Sequence, residues 1–387
     1  MRDIQVPRNL ASPFTRPTKP WCLTLLWVLL PHVVSGVTPA PLPNGPAMPT
    51  WEAQQFVQAD RTGNVFFLRT DTLAVYPYTR DKTFGEPVPL ETTLDRSGAI
   101  YTAAMSPDGD RWLIQDARSV RLFVGGKEKP VPPLPFKPWS VALLRDTPLV
   151  AVVPLPIGGR SVEVKKLGAP PWFLQLGRDR WEAMVTLKGP SVAELLEKNM
   201  LNGAIAENAA FMTGDRQGKL WVARQYAYHV ERMTPSGHVL LDIKVDGGRV
   251  RKEQGNKGIE VARKDASENP TDATHNPHQE KSTYTPFDAP SVLEAMTEGR
   301  DGRMYFFVHT ADGAAALDRY DPTRVVLERL PLSLKLEDRP SLAAGKDGLF
   351  LAAWSGKDGR WWLPWDVLEQ ARWTKVGNCK IDGEPEE

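Results

Sequence analysis

One short phrase recurs along the chain: a turn carrying Asp and Gly, then an apolar strand that opens on or near an aromatic residue. Its copies are Asp60-Arg-Thr-Gly63-Asn-Val-Phe66, Asp108-Gly109-Asp-Arg-Trp112, Asp215-Arg-Gln-Gly218-Lys-Leu-Trp221, Asp301-Gly302-Arg-Met-Tyr305 and Asp347-Gly348-Leu-Phe350. Repetition at this scale means one supersecondary unit whose copies bury their apolar faces against one another. Glycine takes the positive φ of the turn without steric cost, and the aromatic suits a half-buried pleated surface. The phrase therefore speaks to architecture more directly than to chemistry.

The fullest copy starts at Ala209. Phe211-Met212 leads into the turn Thr213 to Gly218, then come the strand Leu220-Trp-Val-Ala223, the strand Val230-Glu-Arg-Met233, the turn Thr234-Pro-Ser-Gly237 and the strand Val239 to Ile243. Four short strands in about 40 residues read as one propeller blade. Looser copies cover Trp51 to Pro89, Ala99 to Val131, Ser291 to Leu330 and Pro340 to Trp373. A further blade without the Asp/Gly phrase fits Trp139 to Leu144, Leu149 to Val153 and Val162 to Val164. The expectation is an all-β propeller of about six four-stranded blades over residues 51–376. Two segments break the rhythm. Residues 190–203 have capping-box spacing at Ser191 to Glu194 and read as a short inserted helix. Residues 246–288 are too polar to offset their ordering entropy and read as a mobile loop.

The stretch Asp215-x-x-Gly218-x-Leu-Trp-Val-Ala223, with Val230-Glu-Arg-Met233 and Gly237-x-Val239, resembles the repeat of NHL-type and TolB-like six-bladed propellers of exported bacterial proteins. The resemblance implies a closed ring of blades around a channel that serves as a binding platform. The chain departs from the NHL pattern in lacking its Asn-Arg pair in the second half of the repeat. The box of sialidase-type propellers is not matched: Ser106-Pro-Asp108-Gly109-Asp-Arg-Trp112 has its glycine one place early and Thr213 to Trp221 one place late.

Residues 1–36 read as a signal peptide: Arg2, Arg8, Arg16 and Lys19 precede the apolar run Trp21 to Leu30, which Pro31 ends before membrane-spanning length. Residues 37–50, with Pro39, Pro41, Pro43, Pro46 and Pro49, read as an extended linker, and 377–387 as a C-terminal tail. The expected location is periplasmic or extracellular, with no stable membrane anchor after processing. Once Cys22 leaves with the leader, Cys379 has no intramolecular partner, so stability must come from burial. The 48 Lys and Arg nearly balance the 47 Asp and Glu, so no global field favours nucleic acid. A monomer that binds a protein, peptide or carbohydrate is the expected form.

No Gly-x-Ser-x-Gly elbow, Walker loop or His-Glu-x-x-His helix occurs in the chain. The expected function is a non-catalytic binding or scaffolding module with no cofactor, and Trp139, Glu207, Glu294 and Arg339 are the expected contacts at the channel mouth. The alternative is a calcium-dependent hydrolase of the lactonase or esterase type, whose ion needs six to eight oxygens. Its candidate ligands are Glu52, Asn202, Glu207, Asn208 and Glu294. His275 and His278 are close enough to share a metal, but no further His or Cys lies nearby in the polar segment around them. The cluster Trp354, Trp361, Trp362, Trp365 and Trp373 is read as blade packing and ring closure rather than a sugar platform.

Overall fold

A computed structural model describes residues 36–42, 54–78, 83–92, 99–116, 119–156, 171–186, 210–224, 228–245, 291–310, 314–334, 336, 340–353, 359–377 and 379–383. The expected signal peptide, inserted helix and long loop lie outside these residues, apart from Gly36. So do Val162 to Val164, His275, His278 and Trp354.

The first strand, β1 (Ala40–Pro41), precedes the first blade. Blade 1 is β2 (Gln55–Ala59), β3 (Val65–Arg69), β4 (Ala74–Tyr78) and β5 (Val88–Pro89). Blade 2 is β6 (Ile100–Met105), β7 (Arg111–Asp116), β8 (Val120–Val124) and β9 (Lys127–Lys129). Blade 3 is β10 (Phe136–Leu144), β11 (Thr147–Pro156), β12 (Pro171–Leu176) and β13 (Trp181–Thr186). Blade 4 has β14 (Ala210–Gly214), β15 (Leu220–Arg224), β16 (His229–Met233) and β17 (Val239–Val245). Blade 5 has β18 (Ser291–Glu298), β19 (Met304–Thr310), β20 (Ala315–Asp321) and β21 (Val326–Pro331). Blade 6 has β22 (Pro340–Ala344), β23 (Gly348–Ala353) and β24 (Arg360–Pro364). After it come a helix, α1 (Trp365–Gln370), and the strands β25 (Thr374–Lys375) and β26 (Cys379–Gly383).

Each blade is an antiparallel sheet in which the strands just named for it pair with their neighbours in chain order. The innermost strands β2, β6, β10, β14, β18 and β22 meet their neighbours in sequence, and β22 meets β2 again, which closes the ring. Six apolar clusters fill the six blade interfaces. Alternation along each strand feeds two of them at once. In β10, Val141 and Leu143 pack toward blade 2 while Ala142 and Leu144 pack toward blade 4. A strand buried on both faces reads as a continuous apolar run, which explains Val-Ala-Leu-Leu at this place in the chain.

The termini are woven into the ring. Part of the segment expected to be a linker, Ala40–Pro41, pairs with Trp361 and Trp362 and is the outer strand of blade 6. Proline is tolerated there because an edge strand needs no second row of N–H donors. Leu42 is buried in the interface between blades 6 and 1. At the other end, β25 adds to β21 and β26 adds to β17, so blades 5 and 4 gain a fifth strand from residues beyond the last blade. Helix α1 follows Pro364 directly and buries Trp365 and Leu368. Trp365 donates to the Gly345 carbonyl at 3.0 Å, Trp373 donates to that of Leu368 at 2.9 Å, and Phe350 stacks on Trp362. The described members of the tryptophan cluster thus pack blade 6 and the turns around it. Among the described residues no helix is long and apolar enough to cross a membrane.

Candidate functional site

The innermost strands begin at one end of the channel and finish at the other. The finishing ends are joined by their turns: Arg61 N–H donates to the Pro107 carbonyl, and Lys346 N–H to that of Gly63. Strand starts therefore share the opposite mouth. Polar side chains set the blades against one another there. Ser140 Oγ donates to the Ala210 carbonyl at 2.6 Å, Ser341 Oγ accepts from Val57 N–H at 2.8 Å, and Gln115 Nε2 donates to the Pro138 carbonyl at 3.3 Å. These bonds satisfy buried polar atoms and fix the position of each strand start relative to the next.

Three of the six innermost strands break register close to their starts. In β6 the pairing passes from Ile100 to Thr102, in β10 from Pro138 to Ser140, and in β18 from Leu293 to Ala295. The extra residues are Tyr101, Trp139 and Glu294. A bulge leaves one residue out of the ladder and re-aims its side chain, and bulges gather beside functional sites. Tyr101 is exposed, whereas Trp139 is half-buried against the core between blades 3 and 4.

Glu294 lies beside a histidine. Its Oε1 lies 3.5 Å from Nδ1 of His309, on the neighbouring strand β19. Phe307 meets the imidazole edge-on, with ring centroids 5.3 Å apart. The other two polar atoms of the pair, Glu294 Oε2 and His309 Nε2, are buried without a hydrogen-bond partner. Gln55, fully buried at the start of β2, donates to the Gly359 carbonyl while its own Oε1 also has no partner. Each such atom costs about 1–3 kcal/mol when left unpaired. Three buried polar atoms without partners therefore lie at the mouth where the bulges occur.

Of the contacts expected from the sequence, Trp139 and Glu294 are both bulge residues of innermost strands at this mouth. Glu207 and Arg339 lie outside the described residues, as do Glu52, Asn202 and Asn208 of the calcium set. His309 was not expected; it stands at the polar end of the apolar run Tyr305 to Val308, and only strand pairing brings it to Glu294. Among the described residues no group of three or more His, Cys, Asp or Glu could hold a metal ion. The one described candidate ligand, Glu294, faces an imidazole nitrogen, which suits a transition metal better than calcium.

Six antiparallel sheets of four or five strands, closed in a ring around one axis, make the protein a six-bladed β-propeller. Similar solved structures include a member of the DUF4221 family from Bacteroides vulgatus, at 10% identity over 91% of this chain and 98% of that chain, with a TM-score of 0.45. A protein of unknown function from Bacteroides thetaiotaomicron is 12% identical over 83% and 73%, with a TM-score of 0.46. Virginiamycin B lyase from Staphylococcus aureus is 13% identical over 78% and 77%, with a TM-score of 0.40. No protein-family model and no curated protein matches the chain.

Proposed function

We propose that the protein is an exported, non-catalytic binding module of the periplasm or cell exterior, and that its ligand enters the channel at the strand-start mouth. The observation that supports this is the Glu294–His309 pair, which holds two buried polar atoms without partners on and beside a strand bulge. A ligand that donates to Glu294 Oε2 and contacts the Tyr101 and Trp139 rings would satisfy the mouth, and a carbohydrate or a peptide has both features. The export reading draws on the basic leader and apolar run of the first 36 residues.

The test is a panel of oligosaccharides and peptides titrated against tryptophan fluorescence. Glu294→Ala is expected to weaken binding at least about tenfold, the loss of one charge-assisted hydrogen bond. The double variant Glu294→Leu/His309→Phe replaces both partners by apolar groups, so its unfolding midpoint should equal or exceed that of the native chain while binding is lost. Undiminished binding by the double variant would place the ligand elsewhere.

The same pair favours one second reading, a hydrolase. A carboxylate beside an imidazole holds the ring in one orientation, as general base chemistry requires. Hydrolysis of small lactones and esters, measured with calcium and with chelator, separates the two. Turnover lost in both Glu294→Gln and His309→Ala supports the enzyme, and its absence under every condition supports the binding module.

A further inference from the structure

The finishing end of the channel is built by the turns that carry the repeated phrase. Four of them close on a hydrogen bond from a glycine N–H to the carbonyl three residues earlier: Gly63 to Asp60, Gly109 to Ser106, Gly218 to Asp215 and Gly302 to Gly299. These glycines have φ of 76 to 81°, a left-handed conformation that pins them to the fourth turn position. In that register the second position holds Arg61, Pro107, Arg216 and Arg300. Blade 6, with Gly345-Lys346-Asp347-Gly348, puts Lys346 in the same place. Blade 3 replaces the phrase by a two-residue hairpin between Leu144 and Thr147 and sets Arg145 directly after its innermost strand. Five of the six blades therefore present a base at this mouth.

Arg61, Arg216, Arg300 and Lys346, from blades 1, 4, 5 and 6, line a single cavity of about 200 Å³ together with Thr62, and no carboxylate lines it. Arg145 packs beside it, its guanidinium 2.8 Å from the place a Cβ on Gly218 would occupy. Most acids of these turns have partners of their own, while Asp347, next to Lys346, is exposed. Asp60 accepts from Thr62 and Asn64, Asp215 pairs with Arg232 at 2.7 Å, Asp301 pairs with Arg303, and Glu298 accepts from the Arg216 N–H. None of the five bases makes an ion pair among the described residues. Three of them reach neutral oxygens of the next turn instead: Arg216 Nη1 to the Arg300 carbonyl at 3.2 Å, Arg300 Nη1 to that of Lys346 at 3.3 Å, and Lys346 Nζ to Asn64 Oδ1 at 3.3 Å. Each guanidinium keeps most of its five donors. Unpaired cations stepping round a concave mouth focus a positive field on it.

We propose that this mouth is a second ligand site, which takes a tetrahedral oxyanion with at least two negative charges, a phosphate or sulfate ester. Arginine forks match such oxygens two at a time, and the lysine adds a point charge. Blade 2 is the exception in the ring: it has Pro107 where the others carry a base, and two carboxylates, Asp108 and Asp110, just after it. It repels the anionic end of a ligand, which therefore points at blades 4, 5, 6 and 1. The site is separate from the strand-start mouth and does not depend on the function proposed for it.

The test is calorimetric titration of the full chain with pyrophosphate, with a sulfated disaccharide and with its unsulfated parent, at low salt and at about 0.15 M NaCl, where screening acts within about 8 Å. Binding of an anionic probe but not of the neutral sugar, weakened by salt, is the expected result. Preference for pyrophosphate assigns phosphate esters, and the reverse preference assigns sulfate esters. Arg61→Gln/Arg300→Gln should lower affinity at least about tenfold, while Arg180→Gln, an exposed base on blade 3, leaves it unchanged. Thermal unfolding of Arg61→Gln, which loses no side-chain hydrogen bond, reports whether the fold is intact. No heat with either anion, or equal affinity in the double variant, overturns the proposal.

Discussion

Asp318 has no exposed surface, yet it carries a charge across the interface between blades 4 and 5. Its two oxygens accept from Arg329 Nε and Nη2 at 2.7 and 2.8 Å, and Tyr228 of blade 4 donates its hydroxyl to Oδ2. Burial, reinforced by the Asp318 charge, holds the Tyr228 hydroxyl well above its usual pKa. Breaking a buried pair strands its partner, so Asp318→Asn should cost about 3–5 kcal/mol and Tyr228→Phe about 1–3. Urea unfolding measures both, and two native-like midpoints would show that the network contributes nothing. Glu298 gives a pH signature. Burial raises its pKa above the ordinary 4.5, the Asp215 charge adds to this, and the Arg216 N–H opposes it. The folded state then holds its proton more tightly than the unfolded chain, so the stability it contributes is complete below pH 4.5 and falls as pH rises through the folded value. Glu298→Gln should melt higher than the native chain at pH 7 and close to it at about pH 4; an equal difference at both pH values would contradict this. Trp139 and Glu294 were legible because each interrupts or precedes an apolar run at a strand start. The ring of bases was not. Read from its aspartate, the phrase puts Arg61 after the Asp and Arg300 before it, and only the glycine hydrogen bonds show both at one turn position.

At the scale of strands, all four members of blade 4 and the first two of blade 3 were legible, and the outer strands of other blades less so. An inner strand is covered on both faces, and its apolar run stands out; an outer strand packs on little and loses its pattern, as Val88–Pro89 and Lys127–Lys129 show. In blade 3 the third strand is Pro171–Leu176, further along the chain than Val162 to Val164, and it brings Phe173 and Leu174 into two different interfaces. The least legible strand was β26, which lies beyond the last blade. It pairs over five residues with β17, and Ile381 and Cys379 pack against the core between blades 4 and 5. Ending the chain at Gly377 uncovers the edge of β17, where Val239 and Leu240 are already exposed. We expect a loss of about 1–3 kcal/mol from the uncovered side chains and self-association through the open edge. Urea unfolding and light scattering read the two effects separately. A shortened chain that matches the native midpoint and stays monodisperse would show that β26 is decoration.

For the whole molecule, six blades arranged in a circle differ from six in a row in how they fail. In an open array the terminal repeat frays alone, because it has one neighbour and contributes one interface term. A ring gives every blade two neighbours, and the last interface exists only if the chain ends are tied. The tie is the N-terminal segment. Val37 N–H donates to the Pro331 carbonyl, Ser333 N–H donates to that of Val37, Leu42 N–H donates to that of Arg360, and Leu42 is buried between blades 6 and 1. Removing residues through Leu42 takes away these three hydrogen bonds, the outer strand of blade 6 and one core leucine, about 3–5 kcal/mol together. A chain that begins at Ser35 is the reference. Because the lost contacts close the ring, the truncated chain should unfold in one transition at a lower urea concentration, with fluorescence and circular dichroism coinciding. Two separate transitions, with blade 6 leaving first, would mean that the ring behaves as a row.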